Sequence, residues 1–109
     1  YGARTASDLF YLDKIAEIAK QLPHFRFVPG LSHLGDNTNW DGERGFIHTV
    51  VDRFFKEEGL GAPQMEVYTC GPPPMIDALL PVLQLNRVSE ERIHMDKFTT
   101  SPEALRNDR

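Results

Sequence analysis

Several things are scarce in this chain, and each scarcity removes a class of protein. One cysteine in 109 residues excludes an intrachain disulfide and a multi-cysteine zinc site, and makes a reducing cytoplasm the simpler expectation. No apolar run approaches the roughly 18 residues that a membrane-spanning helix needs. No secretory leader pattern is visible, so none is expected. Lys and Arg number 12 against 16 Asp and Glu, a net charge of -4, which gives no basic surface for nucleic acid. No G-x-G-x-x-G or related glycine-rich turn occurs, so the usual pyrophosphate cradle at a helix N-terminus is missing.

What is present fits a globular α/β domain. Hydrophobic residues make up 40% and charged residues 26%, the balance of a soluble protein at most one domain long. The chain is organised around Val67-Tyr68-Thr69-Cys70-Gly71-Pro72-Pro73-Pro74-Met75. Its β-formers read as a buried strand ending at Cys70. Gly71 permits a sharp turn, and the prolines suit the first turn of a helix, where a missing N–H costs nothing. Ile76, Leu79, Leu80 and Leu83 then recur at helical spacing.

Taken in order, Tyr1-Gly2-Ala3-Arg4 reads as a strand end and turn. Thr5 and Asp8 have capping-box spacing, opening a helix expected to run to Leu22 with Leu12, Ile15, Ala16, Ile18, Ala19 and Leu22 on one stripe. Phe25–Val28 reads as a short strand, bent by Pro29-Gly30. Residues 33–44 are polar and turn-rich, the composition of a long loop. A second helix is expected over Phe46–Glu58, stopped by Gly59 and Gly61. Pro81 should kink or shorten the third helix, which Asn86 ends. Ser89-Glu90-Glu91 reads as a turn, Arg92–Lys97 as a last strand, and residues 99–109 as a frayed tail.

Strands alternating with helices predict a parallel sheet with right-handed crossovers. That topology gathers three βα turns, Gly2-Ala3-Arg4, Gly30-Leu31-Ser32 and Cys70-Gly71-Pro72, at the carboxyl edge where open α/β sheets bind ligands.

Cys70-Gly71-Pro72-Pro73-Pro74-Met75-Ile76 resembles the signature of the pyridine-nucleotide half of the ferredoxin–NADP⁺ reductase superfamily. Tyr1-Gly2-Ala3-Arg4-Thr5, Leu31-Ser32 and Asp96-Lys97-Phe98 agree with it in order and spacing over residues 1–98. Within that superfamily the chain is most similar to the reductase components of bacterial multicomponent monooxygenases of the phenol, propane and methane type. The resemblance implies a Rossmann-like parallel sheet with flanking helices that lacks the family's first βα unit. Residues 1–98 are then the C-terminal part of a nucleotide-binding domain within a larger reductase.

The same resemblance implies a role for each candidate site residue. Gly2, Ala3 and Arg4 serve the adenosine end of a dinucleotide, and Ser32 a ribose or phosphate oxygen. Gly71, Pro72, Pro73 and Met75 shape the elbow, Cys70 packs on the nicotinamide, and Phe98 covers a flavin ring. NADPH-specific relatives follow the serine with an arginine. Here His33 follows it, which favours NADH over NADPH, while Arg44 nearby keeps NADPH open. The parent protein would use FAD and a [2Fe–2S] cluster bound mainly outside this segment. Its partners would be the flavin and iron–sulfur domains of the same chain and an oxygenase (hydroxylase) component.

Plainer readings stand beside these. Arg4 can be an exposed turn arginine, Ser32 a loop cap, and Phe98 a core residue. Cys70 can be a thiol activated at a helix N-terminus, a positioning side chain, or a core cysteine. A thiol-dependent α/β enzyme and a non-catalytic α/β binding module are therefore the alternatives. Asn37-x-Asn39-x-Asp41-Gly42 mimics the start of a calcium loop, but its twelfth position is His48 where a bidentate glutamate is required, so no metal is expected. Trp40 reads as a packing anchor.

Overall fold

The structure, a computed structural model, describes residues 1–35, 39–59 and 65–97. The expectations for Asn37, Gly61, Phe98 and the tail 99–109 lie outside the described residues. The strands are β1 (Gly2–Ala3), β2 (Gly30–Leu31), β3 (Glu43–Arg44), β4 (Val67–Gly71) and β5 (Ile93–Lys97). The α-helices are α1 (Leu12–Gln21), α2 (Ile47–Glu58) and α3 (Pro73–Leu85). All described strand pairs are parallel, as the alternating pattern requires. They fall into two sheets, ordered β1-β2-β3 and β4-β5, where the sequence suggested one. The chain divides into two compact units, Tyr1–Val50 and the residues from Val51 onward.

In the first unit the sheet is built on close backbone approach. A Cβ on Gly2 would lie 2.7 Å from Cβ of Ile47, so only glycine lets β1 pack on the first turn of α2. The ladder runs past the strand ends: Gly30 N–H donates to Tyr1 O at 2.9 Å and Ser32 N–H to Ala3 O at 3.0 Å. Leu31 and Val50 are almost fully buried.

Three local expectations are corrected here. The helix expected from Thr5 is broken. Thr5 N–H and its hydroxyl both donate to the Asp8 carboxylate, at 3.2 and 2.9 Å, closing a 3₁₀ turn over Ala6–Asp8. Leu9 is then buried, Phe10 N–H donates to Tyr1 Oη at 2.9 Å, and Tyr11 adopts a left-handed conformation with φ 62°. These contacts divert the backbone, so α1 starts only at Leu12. Phe25–Val28 forms no strand, and pairing begins at Gly30. The stretch 33–44, expected as loop, ends in β3. Trp40 makes that strand: its Nε1–H donates to Glu43 O at 2.8 Å, while Glu43 N–H donates to Pro29 O and Gly45 N–H to Leu31 O, both at 2.9 Å.

The second unit has a conventional core. Phe55 from α2, Leu79 and Leu83 from α3, and Val88 form a buried cluster flanked by Val51, Phe54, Met65, Val67 and Ile93. Each such side chain contributes about 1.5–3 kcal/mol when fully buried. Gly59, left-handed at φ 64°, follows the last residue of α2, as expected of a helix stop.

Pro81 does not shorten α3, which runs its full 13 residues. Its side chain is exposed, so the ring meets solvent and the loss is confined to one backbone bond. Asn86 caps the helix, its Nδ2 donating to Val82 O at 2.8 Å. Beyond it the chain reverses through a left-handed Arg87, φ 66°. Arg87 N–H reaches Gln84 O and Val88 N–H reaches Leu83 O, both at 3.0 Å. Leu83 and Val88, joined by that bond, share the same apolar cluster, the hydrophobic contact that accompanies such stops.

The expectation of a fully buried β4 is corrected. Exposure alternates along the strand, with Tyr68 78% exposed. Alternate side chains point to opposite faces: Val67 packs on the core, while Tyr68 lies on the other face and is stacked by His94.

Candidate functional site

In the first unit, parallel pairing sets Ala3 opposite Leu31, so Arg4 and Ser32 leave their strands together at the carboxyl edge. His33 N–H donates to Arg4 O at 2.8 Å and fixes that alignment. The Ser32 hydroxyl lies 2.6 Å from His33 Nδ1. Phe46 presents a T-shaped contact to the His33 ring at 6.1 Å and stacks on His48 at 6.1 Å. Arg44, the residue that kept NADPH open, directs its guanidinium to Trp40 O at 3.3 Å. Trp40 is thus the packing anchor its sequence context suggested.

The Ser32–His33 contact and the Phe46–His48 stack were not singled out from sequence. Adjacent Ser and His before a turn carry no period. The signal available was Phe46 standing immediately ahead of an amphipathic helix.

In the second unit, β4 and β5 align Cys70 with Asp96 and Gly71 with Lys97. Cys70 is a free, exposed thiol near the carboxyl end of its strand. Pro72 forms the N-cap of α3, and Pro73 and Pro74 occupy its first turn. Pro72 O accepts from Met75 N–H at 3.1 Å and from Ile76 N–H at 3.2 Å. The Met75 side chain folds back over Gly71, where a Cβ would sit 2.9 Å from its sulfur. Lys97 Nζ donates to Asp77 Oδ1 at 2.8 Å, tying the end of β5 to α3. Cys70, Gly71, Pro72, Pro73 and Met75 thus lie at one end of β4 in the second unit, and Gly2, Ala3, Arg4 and Ser32 at the carboxyl ends of β1 and β2 in the first.

His94 lies opposite Tyr68, stacks on it at 4.7 Å, and its Nε2 is 2.8 Å from Glu66 Oε2. Among the described residues no group of three or more His, Cys, Asp or Glu side chains could hold a metal ion. No helix among them is long and apolar enough to cross a membrane.

Comparison with known proteins bears on this geometry directly. Residues 1–80 match the oxidoreductase NAD-binding domain family. The chain belongs to that family.

Among curated relatives it is 42% identical over 103 residues to the reductase component of propane 2-monooxygenase from Mycolicibacterium smegmatis, covering 92% of this chain and 28% of the relative. It is 36% identical over 100 residues to the phenol 2-monooxygenase reductase component of Pseudomonas sp. strain CF600, again covering 92% and 28%. Among solved structures, an Amycolatopsis cytochrome P450 reductase superposes with a TM-score of 0.74 at 39% identity, covering 90% of this chain and 27% of that one. The ferredoxin reductase of a carbazole 1,9a-dioxygenase gives 0.69 at 33% identity, covering 91% and 28%. The chain thus spans little more than a quarter of the length of these relatives. The α/β fold and the NAD-binding family inferred from the Cys-Gly-Pro-Pro-Pro-Met run are both borne out.

Proposed function

We propose that this chain is the pyridine-nucleotide-binding segment of a flavin-dependent reductase that delivers electrons from NADH to an oxygenase component. The observation that carries the reading is the elbow, where an exposed Cys70 and a side-chain-free Gly71 end β4 as α3 opens at Pro73. Cys70, Gly71, Pro72, Pro73 and Met75 serve the nicotinamide end of the dinucleotide. Gly2, Ala3, Arg4 and Ser32 serve the adenosine end. His33 after Ser32, together with an Arg44 guanidinium turned to Trp40 O, supports NADH over NADPH.

FAD and a [2Fe–2S] cluster, held mainly by other parts of the parent protein, supply hydride acceptance and one-electron transfer. The contribution of this chain is position. Hydride transfer depends steeply on approach geometry, and the Cys70 side chain at the strand end limits how the nicotinamide ring can lie. By the family resemblance, Phe98 would cover the flavin ring in the parent protein. The flavin and iron–sulfur domains of the parent and the oxygenase component are the partners, in a reducing cytoplasm.

Rapid anaerobic mixing of the reductase with NADH tests the reading. Cys70→Ala should slow flavin reduction about 10- to 100-fold while changing NADH affinity much less. Flavin reduction at the wild-type rate in Cys70→Ala would remove Cys70 from the site.

A further inference from the structure

The two faces of the β4–β5 ladder are unlike. Val67 and Ile93 pack on the core of the second unit. Tyr68 and Cys70, with His94 and Asp96 opposite them in register, turn to the other face. Tyr68 is 78% exposed there, and Cys70 is exposed two residues along. This face is nevertheless held in place. The Tyr68 and His94 rings lie 20° from parallel with centroids at 4.7 Å. His94 Nε2 is 2.8 Å from Glu66 Oε2, and Arg92 Nη1 donates to Glu66 Oε1 at 3.3 Å. An exposed aromatic ring already fixed by its neighbours loses little freedom on contact, and tyrosine is enriched where proteins meet.

We propose that this face, centred on Tyr68 and His94, is where the flavin-binding domain of the parent reductase docks. The proposal rests on the NAD(P)H reading above, which lays the nicotinamide ring on Cys70. One side of that ring is then against the thiol. The flavin that takes its hydride must stack on the other side, with reacting atoms about 3–3.5 Å apart. The flavin and the domain holding it therefore lie over the sheet face to which Cys70 belongs, because side chains of α2 and α3 fill the opposite one. Strand residues advance about 3.3 Å each, so Tyr68 stands only about 7 Å from Cys70 along β4. A domain of about 100 residues has a radius of gyration of about 13 Å. It cannot reach the nicotinamide over this face and leave Tyr68 in water.

The chemistry of the face selects a domain of the same polypeptide over a separate component. Glu66 and Asp96 bring negative charge and Arg92 positive, with His94 between them and Tyr68 as the apolar centre. Neither sign dominates, and Glu66 is already engaged by Arg92 and His94. Electrostatic capture of a free partner works through a patch of one sign. Linked domains need no such steering, because the linker itself keeps their effective concentration high. A single aromatic anchor ringed by polar side chains suits the modest, partly polar contact that domains of one chain make.

Photo-crosslinking in the intact, flavin-loaded reductase is the test. The benzophenone side chain of p-benzoylphenylalanine is placed at Tyr68 in one sample. In a second it is placed at Leu85, on α3 and 82% exposed. The probe at Tyr68 should link to peptides of the flavin domain, and the probe at Leu85 should not. No link from Tyr68, equal linking from both positions, or links from Tyr68 to the iron–sulfur domain, the oxygenase component or a second copy overturns the assignment. A charge at the same point gives an independent readout. Tyr68→Glu should slow flavin reduction by saturating NADH about three- to tenfold and change NADH affinity by less than about twofold. Leu85→Glu should alter neither, and a wild-type reduction rate in Tyr68→Glu also defeats the proposal. If NADH reduces the wild-type flavin normally while Tyr68 stays unlinked, the docking face is wrong and the dinucleotide reading stands. Failure of the wild-type reductase to bind NADH removes both.

Discussion

Asp77 and Lys97 meet at 2.8 Å across the elbow, joining α3 to the last described residue of β5. Gly71 is the strand partner of Lys97, so this ion pair braces the turn that carries Cys70. Its members are 62% and 40% exposed, and exposed pairs contribute little to stability, typically about 0.2–1 kcal/mol. Asp77→Asn should therefore shift the urea midpoint only slightly. The same variant should raise hydrogen exchange at the Gly71 and Met75 amides several-fold more than at Leu83. A uniform change across α3 would show that the pair stabilises the unit as a whole and does not brace the turn.

Arg87 occupies a conformation that L-residues resist. A left-handed backbone costs a non-glycine residue about 1–2 kcal/mol, and Arg87 adopts it at the helix stop. Arg87→Gly should stabilise the chain by about 1 kcal/mol, after the greater backbone entropy of glycine in the unfolded state is subtracted. Chemical denaturation checks this, and a loss of stability would show that the Arg87 side chain does more than reverse the chain.

Asp52 links α2 to the end of α3. Its carboxylate accepts from Lys56 Nζ at 2.8 Å and from Asn86 Nδ2 at 3.2 Å, and these bonds, with Lys56 the larger influence, hold its pKa below the ordinary aspartate value. A depressed folded-state pKa stabilises the fold above the ordinary carboxylate range, and that stabilisation is lost as pH falls through the lowered value. Asp52→Asn should flatten this part of the acid limb, below about pH 4, and leave the slope above it unchanged. Identical acid limbs for the two proteins would assign the acid sensitivity to other carboxylates.

Legibility in the sequence followed element length. α2 and α3 carry several turns of apolar periodicity, and β4 and β5 have five residues each, enough for a pattern to repeat. β1, β2 and β3 have two residues each, so no alternation exists to be read. Their positions follow from Gly2, Gly30 and Trp40, whose effects are tertiary. The break before α1 was hidden for a similar reason: the Tyr1 hydroxyl that accepts from Phe10 N–H comes from another element. The elbow was legible because glycine and proline impose local geometry. The Ser32–His33 bond was not, because a hydrogen bond between neighbours leaves no mark on composition or spacing.

The all-parallel pairing also bears on how quickly this chain can find its fold. Gly2 pairs with Gly30, 28 positions on (30 − 2), and Val67 with Ile93, 26 positions on (93 − 67). Even the nearest partners, Gly30 and Glu43, are 13 apart (43 − 30). No described ladder can start from a tight hairpin, so every one must await closure of an intervening loop or helix. Helical turns form in about a microsecond or less, so α2 and α3 can precede any strand. The sheets come last, and the slow step is a search among distant segments.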